Sequence, residues 1–263
     1  MENLHALTRQ LHAFTGFIAL VLFWIPAIAR KGSPLHRRAG QLFTSSVYLL
    51  LGSAVLGITL NIAELLLGVS DTSPTQISFL LLLFYLSITT FSSVHHAVRV
   101  VETRHHPQDI NTPFHRSLVY ILLCSSAALI ATALFVESFF LLAFAPIGLL
   151  GARGLHRYIR APRARHMSWF YEHMGATIGA GIALHTAFAV FGARRLFALE
   201  PNGFWGVLPW FLPAAIGLVA SALLERHYRR QFARAEERFI DAQGDAETLA
   251  ATRITPQPKL VAK

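Results

Sequence analysis

The sequence predicts an all-α integral membrane protein, a bundle of seven transmembrane helices. Three observations predict it. Hydrophobic residues make up 54% of the 263 and charged residues only 14%, against about 25% charged in a soluble domain, and the mean hydropathy is +0.47. Apolar stretches long enough to cross a bilayer as helices, about 20 residues each, recur at 10–29, 39–60, 77–98, 117–136, 138–152, 168–192 and 204–224. The basic residues collect in alternate gaps between these stretches.

The first stretch has to be distinguished from a signal peptide, because 11–25 has the length of an h-region and Ala27-Ile28-Ala29 has the small residues of a cleavage site. Its flanks decide. Only Arg9, offset by Glu2, precedes it, whereas Arg30, Lys31, Arg37 and Arg38 follow. That bias orients the helix opposite to a signal peptide, so it reads as a retained span. After the second stretch, the loop 61–76 carries Glu64 and Asp71 and no basic residue. The third stretch ends at a basic loop. Between the fourth and fifth, Glu137-Ser138 interrupts an otherwise continuous apolar run and marks a tight helical hairpin. The fifth is short and contains Pro146, so six spans plus a short or re-entrant fifth segment is the fallback architecture. The sixth is rich in small residues. Beyond the seventh, 225–241 reads as a continued charged helix, and the polar, Pro-containing stretch from Gly244 as a disordered tail. The chain therefore divides into a transmembrane bundle, 1–228, and a charged helical extension with its tail, 229–263.

Charge sets the orientation. The loops after spans one, three and five and the tail after span seven hold 20 of the 23 Lys and Arg residues; the opposite side holds Arg9, Arg194 and Arg195. Basic loops face the cytoplasm, so the N-terminus is expected outside and the C-terminus inside. A fifth segment that failed to cross would strand Arg153, Arg157 and Arg160 on the wrong side, which favours seven crossings. The net charge of +9 is accounted for by this topology, with the bilayer and not nucleic acid as partner. A single cysteine, Cys124, leaves no disulfide framework within one chain. The 20 Arg against 3 Lys fit a GC-rich bacterial genome, and hence a bacterial cytoplasmic (inner) membrane.

Span six carries Gly175, Ala176, Gly179, Ala180, Gly181, Ala183 and Ala187. Small residues spaced by four let helices approach closely in lipid, so this ridge serves packing within the bundle, room for a flat cofactor, or association with a second copy or a membrane partner. Trp169, Tyr171, Trp205 and Trp210 read as interfacial anchors.

Ionisable or ligating side chains inside a span are functional candidates, and here they are histidines: His12, His95, His96, His173 and His185. At about 1.5 Å per residue, His95, His96 and His173 lie level, roughly 5–8 Å inside the same end of their helices. Tyr85, Thr89, Ser92 and Ser93 share a stripe with His96, so His96 is expected to face the interior and His95 the headgroups. Neutral imidazoles ligate iron and other transition metals. His96 and His173 are the candidate inner axial ligands of a b-type haem, with His12 and His185 as outer ones. Zinc would need more ligands, which His36 and Glu172 are placed to supply. No nucleophile elbow, phosphate loop or dinucleotide fingerprint is present.

Two stretches carry a resemblance. Leu11-His12-Ala13-Phe14-Thr15-Gly16 with Ser33-Pro34-Leu35-His36-Arg37-Arg38-Ala39-Gly40, and Trp169-Phe170-Tyr171-Glu172-His173-Met174-Gly175-Ala176 with Thr186-Ala187-Phe188, together about a third of the chain, resemble segments of uncharacterised bacterial polytopic membrane proteins. The resemblance implies a bacterial cytoplasmic membrane and places His12, His36, Glu172 and His173 ahead of the other candidates. Three functions remain open: a His-ligated membrane redox protein, a transporter or metal- and proton-handling protein, and a structural or assembly partner without chemistry.

Overall fold

A computed structural model of the chain describes residues 2–68, 73–162, 167–197 and 203–254. Asp71, Arg163, Arg165 and the end of the tail fall outside these. The described residues are helical throughout, joined by short turns, with no strand among them. Seven helices are long and apolar enough to cross a bilayer: α1 (Glu2–Ile28), α2 (Pro34–Leu66), α3 (Pro74–Glu102), α4 (Pro113–Phe135), α5 (Phe139–Arg160), α6 (Ser168–Leu196) and α7 (Gly203–Ile254). α6 passes through a wide π turn, Phe188–Gly192, before its last turn Ala193–Leu196.

Three helices start with one device. Ser33, Ser73 and Thr112 each cap a helix whose first residue is proline: Pro34, Pro74 and Pro113. The hydroxyl accepts the backbone N–H of His36, Gln76 or His115, and proline lacks only an N–H that the first turn would have left unpaired anyway. Gln76 completes a capping box on Ser73. These starts lie three to five residues before those read from hydropathy, because caps and not apolarity decide where a helix begins. Lys31 closes the end of α1, its ammonium donating to the carbonyls of Pro26 (3.0 Å) and Ala27 (2.7 Å). Partial burial there pushes its pKa below the usual lysine range.

α4 and α5 form the expected hairpin. Glu137 takes a left-handed φ of 51°, the N–H of Ser138 returns to the carbonyl of Ala133 at 2.8 Å and that of Glu137 to Leu134 at 3.4 Å, which is a Schellman closure. α5 then runs 22 residues, so the short or re-entrant fifth segment gives way to a full-length helix. Pro146 removes the ladder bond to the carbonyl of Leu142, and beside it the hydroxyl of Tyr85 on α3 reaches into the α5 backbone. It accepts the N–H of Gly148 (2.6 Å) and donates toward the carbonyls of Ala145 (2.9 Å) and Phe144 (3.1 Å).

α3 is the central helix, packed against α2, α4, α5 and α6. On one side Ala19, Phe43, Val47, Val94 and Ala180 join α1, α2, α3 and α6; on the other Leu82, Leu129, Leu141 and Phe144 join α3, α4 and α5. Large apolar side chains such as Phe14, Phe17, Phe135 and Phe139 are exposed, as suits helices whose outer faces meet lipid.

The small residues of α6 split into two faces. Ala180 is fully buried, and a Cβ on Gly181 would collide with the ring of Phe23 on α1. Gly175 and Gly179 have open space where a side chain would go. Gly181→Ala is therefore expected to lower the unfolding temperature in detergent by several degrees, a cost of about 1–3 kcal/mol for overpacking, while Gly179→Ala leaves it unchanged. Equal effects of the two would contradict this packing.

The chain divides into two compact units, Met1–Gly217 and Leu218–Lys263, with the boundary inside α7. In the second unit the charged stretch is helical, with Arg229 paired to Glu225 one turn away at 2.7 Å. Helix persists to Ile254, beyond Gly244, where sequence alone suggests that order ends; 255–263 lie outside the described residues.

Candidate functional site

The site is built around His96, in the penultimate turns of α3 and 5% exposed. Its two ring nitrogens reach two other helices. Nδ1 lies 2.9 Å from Nε2 of His115 on α4, and Nε2 lies 2.9 Å from Oε1 of Glu172 on α6. His115 sits at the third position of α4, held by the Thr112 cap, and is completely buried. Glu172 is in the opening turns of α6, its side chain 24% exposed.

With Glu172 ionised and His96 neutral, the partners assign the protons. An ionised carboxylate only accepts, so His96 Nε2–H donates to Glu172. A neutral imidazole has one N–H, so His96 Nδ1 accepts, and His115 Nε2–H donates to it. His115 Nδ1 then carries a lone pair. That atom is buried and has no hydrogen-bond partner, as are the hydroxyls of Ser92, one turn before His96, and Tyr158 on α5. Native interiors leave few such atoms unpaired, and these three lie on His115, on Ser92 one turn from His96, and on the tyrosine facing it. Tyr158 also sets its ring edge-on to His96, with centroids 5.4 Å apart. Val100, Ile110 from the 3₁₀ turn Pro107–Ile110, and Tyr158 form an apolar cluster packed by Trp169. The low dielectric around the buried His96 and His115 strengthens the hydrogen bond between them.

The other candidates are placed separately. His173 is level with His96 but does not share a partner with it: its Nδ1–H donates to the Ala97 carbonyl at 2.9 Å. His36 donates from Nδ1 to the Pro26 carbonyl at 3.0 Å. His185 is satisfied at both nitrogens, accepting from Trp24 Nε1–H (3.1 Å) and donating to the Gly181 carbonyl (2.7 Å). His12 contacts the Ser53 hydroxyl at 3.2 Å, which itself donates to Leu50 at 2.7 Å, so His12 Nδ1 is the donor. His95, partly exposed, stacks on Phe91 and meets the rings of Phe114 and His115. His36 and Glu172 are not joined in one ligand set: among the described residues, no three His, Cys, Asp or Glu side chains are arranged to hold a metal ion.

Sequence reasoning missed His115 and Tyr158. Hydropathy leaves His115 in a loop because the apolar run starts two residues after it. A signal was present: Thr112-Pro113-Phe114-His115-Arg116 echoes Ser33-Pro34-Leu35-His36-Arg37, and both place a histidine at the third position of a helix, under the cap.

No protein-family model, curated protein or solved structure matches the chain.

Proposed function

We propose that the chain is a multi-pass protein of a bacterial cytoplasmic membrane that handles protons through the relay Glu172–His96–His115. The observation that carries this reading is the hydrogen-bonded chain across α4, α3 and α6, which ends on an unpartnered, buried imidazole nitrogen. Intramembrane histidine and carboxylate chains are the usual means of moving protons in membrane proteins. A proton accepted at His115 Nδ1 makes an imidazolium; its Nε2 proton passes to His96 Nδ1, and the Nε2 proton of His96 passes to Glu172 Oε1. One proton enters, one arrives at the partly exposed carboxyl, and ring rotation restores the starting tautomers. The distribution of basic residues supports an N-terminus outside, with this centre toward the cytoplasmic end of the bundle. A b-type haem on His96 would compete with the relay, because the His96 lone pair is already given to His115.

The test is proton flux into vesicles. With wild-type protein reconstituted, an imposed pH gradient is expected to collapse faster than in empty vesicles. Glu172→Gln keeps an acceptor for His96 but takes up no proton, and should slow the collapse at least about tenfold, the scale of losing one positioned acid–base group. Wild-type vesicles no leakier than empty ones would sink the proposal.

A further inference from the structure

We propose that the cleft between the first turns of α1 and the last turns of α2 binds a zwitterionic phosphoethanolamine headgroup, the polar end of a phospholipid. The cleft measures about 330 Å³ and is lined by His5, Thr8, Arg9, Gly57, Asn61 and Glu64. α1 has 27 residues and α2 has 33, so they extend about 40 and 50 Å. Both exceed the roughly 30 Å hydrocarbon core, and their ends reach the headgroup layer.

The hydrogen bonds already made define what the cleft still offers. His5 Nε2–H donates to Glu64 Oε1 at 2.9 Å, the Thr8 hydroxyl to the Leu4 carbonyl at 2.8 Å, and Asn61 Nδ2–H to the Gly57 carbonyl at 2.7 Å. Glu64 Oε2 and Asn61 Oδ1 are left as acceptors. The guanidinium of Arg9 has no partner among the described residues, so its donors are unspent. A lone anion would face the Glu64 carboxylate and a lone cation would face Arg9. A phosphate bound to Arg9, with an ammonium turned to Glu64 and Asn61, satisfies both. Leu4, Leu7 and Leu11 on α1 and Ile62 and Leu66 on α2 are exposed apolar side chains beside the cleft's lining residues in sequence, and they offer a surface for acyl chains.

The experiment measures binding to the full chain in detergent, by native mass spectrometry and thermal unfolding. The probes are phosphatidylethanolamine, phosphatidylcholine, phosphatidylglycerol and soluble O-phosphoethanolamine. Phosphatidylethanolamine is expected to bind at least about tenfold more tightly than the choline lipid, whose methylated ammonium has no N–H, and than the anionic glycerol lipid, the scale of one charge-assisted hydrogen bond. Arg9→Ala should weaken it about tenfold, and Glu64→Gln should bring phosphatidylglycerol up toward it. Binding of the soluble headgroup to a comparable degree would identify a free zwitterion as ligand; its failure would identify the lipid. Equal binding of the three lipids, or no loss in Arg9→Ala, would overturn the proposal.

Discussion

His96→Leu is expected to destabilise the folded protein by about 3–5 kcal/mol and to abolish proton flux. Removing the hub strands the buried His115 N–H, leaves the partly exposed Glu172 carboxylate without its donor, and puts a leucine against both; a stranded buried group costs about 1–3 kcal/mol, more when charged. His156→Ala, at an exposed position one turn before the end of α5, should stay within about 0.5 kcal/mol of wild type. A triple substitution separates structure from function. With His96, His115 and Glu172 all replaced by apolar residues, no partner is stranded, and stability should return close to wild type while flux stays absent. Unfolding in mixed detergent, read beside vesicle flux, checks both. Flux surviving in the folded triple variant would show that the protons travel elsewhere.

Tyr85→Phe should cost about 2–4 kcal/mol, far more than removal of one hydroxyl from a surface. The phenol bonds a backbone N–H and two carbonyls of α5 beside Pro146, within the span, where no water can replace it. Gly148→Ala attacks the same junction from the other side, because its Cβ would collide with the Ser126 hydroxyl and come within 2.8 Å of Tyr85 Oη. The double variant should cost less than the sum of the single ones, since loss of the Tyr85 hydroxyl removes one of the two collisions. Additive losses in a double-mutant cycle would show that the two residues do not share one contact.

Hydropathy and loop charge made the seven helices legible, because span length and apolarity are properties of a stretch. Helix starts were less so: Ser33-Pro34, Ser73-Pro74 and Thr112-Pro113 act through one hydroxyl and one missing N–H, which averaging over a window erases. The relay was half legible. His96 stood out by its polar stripe and Glu172 by the stretch around it, but their meeting with His115 depends on side-chain directions across three helices. Depth put His173 level with His96, yet depth does not say which ring nitrogen already has a partner; the carbonyl of Ala97 holds one nitrogen of His173.

The Tyr85 junction also has a mechanical meaning. Tyr85 lies 11 residues before His96 on α3, and Gly148 lies 10 residues before Tyr158 on α5, so the two helices run side by side for about 15 Å from the junction to the relay. Held at one end by a phenol set into the neighbouring backbone and touching at the other through the Tyr158 and His96 rings, α3 and α5 are tied at both ends of this stretch. α4 packs along α5 and α6 along α3, so His115 and Glu172 ride on the two helices that flank this tie.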